Sequence, residues 1–213
     1  MSTKKITTVG LLCAMAIVAN LLVHFPLVPA AGFLSYDPKD IVIVIGGFIY
    51  GPMTSFIMSA ITSFLEMMYR GDTLIDVLMN VISTCAFVCP AAYFYKKNHT
   101  KKGALVGLGT GIILTTLCML LWNYIITPIY YGMPREDVIA ILLPGILPFN
   151  LIKSGLNSGI TLFLYKPIVT ILRSTNLVEK KNEVQSQRTG LLLVGFFLIV
   201  TVICILLVIQ GII

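Results

Sequence analysis

Charged side chains are scarce in this chain of 213 residues: Asp, Glu, Lys and Arg make up 11% of it. Soluble globular proteins carry about 25%. Apolar residues make up 57%, and the mean hydropathy is +0.95. So few charges cannot cover a surface that faces water on every side. The composition therefore excludes a soluble enzyme, and it excludes a nucleic-acid binder despite the net charge of +6.

Other absences narrow the chemistry. His24 and His99 are too few and too far apart for a metal site. Cys85 and Cys89 lie four residues apart on one predicted helix face, a spacing that suits packing better than a disulfide. The glycine-rich segment 107–111 lacks the Lys-Ser/Thr of a Walker A motif, so the chain cannot hydrolyse ATP itself. No nucleophile–base or carboxylate–metal set stands within the apolar tracts. We therefore expect neither an enzyme nor a resident cofactor.

The few charges are clustered, and long apolar tracts separate the clusters. A run of about 20 apolar residues is long enough to cross the hydrocarbon core of a membrane as a helix. We predict an all-α polytopic membrane protein with an uncleaved first helix. A six-helix domain covers residues 1–173, a polar cytoplasmic linker 174–189, and an additional transmembrane helix 190–213. Predicted helices 1 to 7 cover about 6–25, 38–50, 53–69, 74–95, 102–126, 148–172 and 191–209, and proline-containing 127–147 is predicted to be a loop.

The basic residues predict the orientation. If predicted helices 2 and 3 are separate and the N-terminus is inside, eleven basic residues lie on the cytoplasmic side and three outside. Merging those two helices into one kinked span would break this positive-inside pattern. Predicted helix 2 is then short and must be shielded from lipid by its neighbours. We predict a cell-membrane protein with a cytoplasmic N-terminus.

Acidic residues gather at the predicted outer face. Asp37 as N-cap, Pro38 as the first helical residue and Asp40 two residues later predict the start of helix 2. Glu66 and Asp76 are predicted at helix ends that water reaches, which argues against a proton-coupled carrier. The chain also shows no inverted repeat of the kind found in secondary transporters.

One charge, Lys153, stands alone within a predicted span. Burying an unpaired ammonium there costs at least ~2.5–3.5 kcal/mol. Asn150 and Asn157 lie on the same helix face, three residues before it and four after it. The structural interpretation is a lysine that pairs with a carbonyl or reaches out of the membrane. The functional interpretation, which we favour, is a polar stripe that lines a cavity open to the outside.

Asn80 and Asn123 are predicted at a similar depth to Asn150 and Lys153. A single intramembrane Asn often forms a hydrogen bond between two helices, which contributes about 0.6–2 kcal/mol. Four polar groups that converge at one depth favour a ligand site instead. Aromatic side chains are predicted around them. Some belong to interfacial belts, and others could stack on a flat ring. The candidates for stacking are Tyr36, Trp122 and Phe149.

Small residues recur every four positions on several predicted helices, which lets helix backbones approach closely. Most of these stripes are expected to serve internal packing. Gly10 and Ala14 on the first helix are the better candidates for docking an external partner, since a first helix is often peripheral.

Taken together, several motifs resemble one family over residues 5 to 173. The first is Tyr36-Asp37-Pro38-Lys39-Asp40 together with the segment 47–52 that follows it. The second is Trp122-Asn123-Tyr124 together with the segment 128–132. The third is the segment 146–155, which contains Pro148-Phe149-Asn150 and Lys153. The chain resembles the substrate-binding S components of energy-coupling factor (ECF) vitamin transporters, of the riboflavin-specific type. The last of these motifs is the most specific to that type.

This resemblance implies a six-helix fold with a first outer loop that caps the vitamin. It implies that Asn123, Asn150 and Lys153 hydrogen-bond riboflavin, which is cargo rather than cofactor. It also implies docking through helix 1 onto a transmembrane coupling subunit driven by two ATPase subunits, in a prokaryotic membrane. Helix 1 here lacks a clean alanine repeat, and the seventh helix departs from the family. An S component for another vitamin, a stand-alone ion-coupled carrier and an intramembrane enzyme are the alternatives.

Overall fold

A computed structural model describes residues 3–175 and residue 177 of the protein. The predicted seventh helix and almost all of the predicted linker lie outside the described residues. The helices are α1 (Thr3–Leu22), α2 (Lys39–Tyr50), α3 (Pro52–Arg70), α4 (Leu74–Lys97), α5 (Lys101–Tyr131), α6 (Arg135–Ile141) and α7 (Leu147–Ser174), and two short strands are β1 (Phe25–Pro26) and β2 (Ser35–Tyr36).

The predicted class is confirmed: α1 to α5 and α7 correspond to predicted helices 1 to 6. Within the described residues, four helical stretches are long and apolar enough to cross a membrane, namely α1, α4, α5 and the stretch from α6 into α7. α2 and α3 are separate helices, as predicted. Gly51 divides them with φ of 94°, a left-handed conformation that favours glycine.

The prediction of a loop over 127–147 is wrong. α5 continues through Pro128 and ends at Tyr131, before Gly132 at φ 65°. After α6, a π-helical turn at Leu142–Ile146 leads directly into α7. Backbone groups within a membrane need partners inside the protein. Helical structure therefore persists where proline alone would predict its end.

α2 lies at the centre of the bundle. At 12 residues it is only about 18 Å long. Every residue from Lys39 to Phe48 is buried, because α1, α3, α4 and α7 pack around it. The predicted shielding of this short helix is confirmed.

Glycines bring α4 and α5 into close contact. A Cβ atom at Gly107 would lie 2.8 Å from the carbonyl oxygen of Ala91, and one at Gly111 would collide with the carbonyl of Phe87. At Gly109, on another face, a Cβ atom would meet nothing within 4 Å. The stripe of small residues on α5 therefore serves internal packing, as predicted.

A hairpin closes the end of the bundle at which α1 and α3 finish and α2 and α4 begin, hereafter the Asp37 end. β1 pairs antiparallel with β2, with Phe25 opposite Tyr36. Leu27, Val28 and Tyr36 of this hairpin are buried against Phe149 and other residues of α7. The hairpin is thereby held over the beginning of α7.

Candidate ligand-binding cavity

A cavity of about 600 Å³ lies at the Asp37 end, between α1, α3, α4, α5, α7 and the hairpin. Six of the seven side chains predicted to contact a ligand line it: Asn80, Trp122, Asn123, Phe149, Asn150 and Lys153. They come from three helices that are distant in the chain. The structure thus brings them together around one space, and their contact with a ligand stays a prediction.

Tyr36, the seventh predicted residue, does not line this cavity. Its hydroxyl donates a hydrogen bond of 2.8 Å to the amide oxygen of Asn157 on α7. The Asn157 side chain in turn donates to Asp40 Oδ2 at 3.4 Å. Tyr36 therefore stands behind the cavity wall, where it holds the hairpin to α7.

Lys153, the one charge within its predicted span, is buried and has carboxylate partners from another part of the chain. Its Nζ lies 2.9 Å from Asp37 Oδ1 and 3.9 Å from Asp40 Oδ2. Both carboxylates come from the Tyr36–Asp40 motif, far away in the chain. Lys153 is thus a cavity-lining cation with its own counterions.

Asp37 does not cap α2, contrary to the prediction. Pro38 occupies the N-cap position and no side chain caps the helix. The Asp37 carboxylate is engaged by Lys153 instead, and its second oxygen lies 3.8 Å from Lys39 Nζ. The carboxylate thus pairs with a buried ammonium, and the first turn of α2 has no side-chain cap.

Glu66 is also buried, with 1% of its surface exposed, so its predicted hydration is wrong. Its carboxylate forms an ion pair with Lys39 of α2 and a 3.0 Å pair with Arg70 Nε on its own helix. Asn20 of α1 donates to it at 2.9 Å, and Asn80 of α4 at 3.4 Å. This carboxylate therefore joins four helices.

Charges inside the Asp37 end balance. Three acids are buried there, Asp37, Asp40 and Glu66, together with the buried lysines Lys39 and Lys153 and the partly exposed Arg70. We call these six residues the ion network. Buried charges persist only when paired and hydrogen-bonded, so the network is a neutral unit.

The third acid, Asp40, is engaged mainly away from Lys153. Thr84 of α4 donates to its Oδ1 at 2.8 Å, and Asn157 to its Oδ2. Both neighbours are buried. Asp40 therefore links α2 to α4 and α7 beneath the cavity.

Asn123 and Asn150 are anchored on their own helices. Each donates a 2.8 Å hydrogen bond to the carbonyl four residues before it, Met119 and Ile146 respectively. Asn123 Oδ1 also accepts from Thr127 at 3.1 Å. Because these bonds restrict their rotamers, the two amides are held at the cavity wall before any ligand arrives.

Polar contacts also fasten the α3–α4 turn to the end of α5. Thr73 and Asp76 form a capping box at the start of α4. Tyr130 donates to Thr73 Oγ1 at 2.6 Å, and Tyr131 to Asp76 Oδ1 at 3.3 Å. Burial, together with the charges of Glu66 and Asp76, raises the pKa of Asp72 in this turn. The turn adds negative charge to the cavity.

Sequence reasoning missed the ion network. The signal was present in Tyr36–Asp40, where three charges fall within four residues directly before a long apolar run. From sequence, the two acids of this motif are interpreted as a helix start and as part of an acidic outer face. Asp37 and Asp40 are predicted near the same end of the membrane span as Lys153. That shared position is the signal that could have identified them as its counterions.

The arrangement suits an uncharged, polar, partly flat ligand. Amides and one ammonium offer directed hydrogen bonds, while Trp122 and Phe149 offer apolar surface. Within the described residues, no group of three or more His, Cys, Asp or Glu is placed to share a metal ion. Fold and cavity together define a multi-pass membrane protein that binds a small molecule within its helical bundle.

Comparison with known proteins gives the family. Residues 4–165, well over half of the chain, match the family described as "ECF transporter, substrate-specific component". The protein belongs to this family of membrane transport proteins.

Two relatives cover most of the chain. The riboflavin transporter FmnP of Bacillus subtilis is 28% identical over 200 residues, which are 89% of this chain and 98% of the relative. The riboflavin transporter RibU of Streptococcus thermophilus is 29% identical over 181 residues, 80% of this chain and 85% of the relative. A solved structure of the S component of a bacterial ECF transporter matches with a TM-score of 0.70 and 26% identity, over 81% of this chain and 99% of that one.

Proposed function

We propose that the protein binds riboflavin in the cavity at the Asp37 end, as the substrate-specific component of an ATP-driven ECF importer. The observation that carries the proposal is this cavity, in a chain similar over most of its length to two riboflavin transporters. Its volume of about 600 Å³ falls within the ~300–1,000 Å³ typical of small-molecule sites.

Riboflavin is a neutral molecule with a flat ring system and a polyhydroxylated chain. Trp122 and Phe149 are suited to contact the ring. Lys153, Asn123 and Asn150 are suited to bond its carbonyls or hydroxyls, with Asn80 as a further donor. The neutral ion network supports an uncharged ligand, since it leaves no buried charge that an ionic ligand must balance.

Titration of the purified protein with riboflavin tests the proposal. Protein extracted in mild detergent is expected to be yellow with flavin absorbance, and after removal of bound flavin to bind riboflavin stoichiometrically in calorimetry. Thiamine and biotin serve as control ligands. Binding of a control vitamin in place of riboflavin would indicate an S component of other specificity, and binding of none would contradict the proposal.

In an ATP-driven importer the ATPase must lie on partner subunits, because this chain has no Walker A motif. We infer a transmembrane coupling subunit and two ATPase subunits as these partners. On α1, Gly10 and Ala14 are both exposed, and a Cβ atom at Gly10 would meet nothing within 4 Å. Leu11, Met15 and Val18 add exposed apolar surface to the same helix. The basic residues support a cytoplasmic N-terminus in the cell membrane.

Replacement of both Gly10 and Ala14 with leucine is expected to abolish co-purification with the coupling subunits while riboflavin affinity stays within about twofold. The added side chains point outward, so they block close helix approach without disturbing the cavity. The measurement is pull-down from cells that express the whole importer. Gly109→Leu, which also enters open space, is the matched control. Unchanged co-purification of the double variant would remove α1 as the docking surface.

A further inference from the structure

Asp37 is the closest counterion of Lys153. The Oδ1–Nζ distance is 2.9 Å, whereas Asp40 Oδ2 lies 3.9 Å away and is shared with Asn157. An ammonium has three donors. Within the described part of the chain, Asp37 alone places a carboxylate oxygen within hydrogen-bond distance of Lys153, so donors remain for a ligand.

Asp37 is also the residue of the ion network that lies between its two lysines. Its second oxygen is 3.8 Å from Lys39 Nζ. It lines the cavity although only 7% of its side chain is exposed. It therefore sets both where the Lys153 ammonium sits and how much positive charge the cavity wall presents.

Building on the proposed function, we propose that Asp37 is a positioning and specificity-determining residue. It holds the Lys153 ammonium at the cavity wall and cancels its charge, so that the site takes the uncharged vitamin and disfavours its phosphate ester.

The physical reason is charge balance in a small cavity. A phosphate monoester carries a charge of about −1.5 to −2 at pH 7. With Asp37 ionised, the ion network offers no net positive charge. Asp72 on the α3–α4 turn and Asp76 in the first turn of α4 add negative charge to the lining. Without Asp37, Lys153 becomes an incompletely compensated cation. A cavity of about 600 Å³ is narrow enough that a phosphate bound inside it lies within a Debye length, about 8–10 Å, of that cation.

The test compares the Kd for riboflavin with that for riboflavin 5′-phosphate, on full-length protein in detergent. For Asp37→Asn, riboflavin binding is expected to weaken about tenfold, because the ammonium loses its charge-assisted partner. The ratio of the phosphate Kd to the riboflavin Kd is expected to fall at least about tenfold. Asp37→Glu keeps the charge and should keep the ratio within about threefold of the wild type. Glu136→Gln makes the same charge change at an exposed position of α6 and should leave both constants unchanged.

A double-mutant cycle separates positioning from structure. Once Lys153→Met has removed the ammonium, adding Asp37→Asn should weaken riboflavin binding less than about threefold further. The double variant removes both charges of the Lys153–Asp37 pair and leaves neither one buried without its partner. If Asp37→Asn alone does not fold, the comparison of Lys153→Met with the double variant still shows whether Asp37 acts through Lys153.

Each outcome decides. A wild type that fails to bind riboflavin overturns the proposed function together with this inference. A wild type that binds, with an Asp37→Asn variant whose riboflavin Kd and Kd ratio are unchanged, overturns only the inference. Weaker binding with an unchanged ratio, and an equal cost in the Lys153→Met background, would make Asp37 a structural residue and overturn it as well.

Discussion

Lys153→Ala is expected to weaken riboflavin binding tenfold to a hundredfold, which corresponds to about 1.4–2.8 kcal/mol. The ammonium lines the cavity, and a hydrogen bond from a charged donor contributes about 1.5–3 kcal/mol. Alanine offers no donor and leaves an empty space beside Asn150. Isothermal calorimetry on purified protein gives the two dissociation constants directly.

The loss of affinity must be distinguished from a loss of fold, because Lys153→Ala also leaves Asp37 with Lys39 as its remaining close cation. Thermal melting of both proteins is therefore measured in the same detergent. Lys166→Ala is the matched control, since it makes the same substitution on the same helix outside the cavity lining. Equal riboflavin affinity of a folded Lys153→Ala variant and the control would remove Lys153 from the binding site.

Helices were predictable from the sequence to within a few residues, because a membrane span needs a long apolar tract whatever its neighbours are. The short α2 was predictable as well, since the basic residues required a separate helix before α3. The helical structure of the stretch 127–147 was not predictable. Proline breaks helices in water, but in this bundle α5 passes through Pro128 and a π-helical turn follows α6. Local residue preferences do not show that the backbone of this stretch needs hydrogen-bond partners within the protein, which a helix supplies.

For the cavity, the depth of polar residues along each helix was predictable, and their partners were not. Asn80, Asn123, Asn150 and Lys153 were placed together because each lies near the same end of a predicted span. The pairs Lys153–Asp37 and Lys39–Glu66 depend on how α2, α3 and α7 pack. Nothing in the local sequence of either partner encodes that packing, so an acid that is buried in the bundle was interpreted as one that water reaches.

Glu66→Leu is expected to destabilise the fold by about 3–5 kcal/mol, the cost of removing one partner from a buried ion pair. Lys39 is 1% exposed, and without Glu66 its nearest carboxylate among the described residues is Asp37 at 3.8 Å. Asn20 and Asn80 lose their acceptor in the same step. At about 2–4 °C per kcal/mol for a chain of this size, the melting temperature should fall by roughly 10 °C.

The double variant Glu66→Leu with Lys39→Met tests whether this cost is electrostatic. It removes one acid and one cation, so the remaining Asp37, Asp40, Arg70 and Lys153 are again balanced. Replacing both partners of a buried pair by apolar groups is often neutral, so most of the lost melting temperature should return. Glu136→Leu, at an exposed position, is the control and should change stability by less than about 0.5 kcal/mol. If the double variant melts as low as Glu66→Leu alone, then the carboxylate acts through Asn20 and Asn80, by joining α1 to α4, rather than by neutralising Lys39.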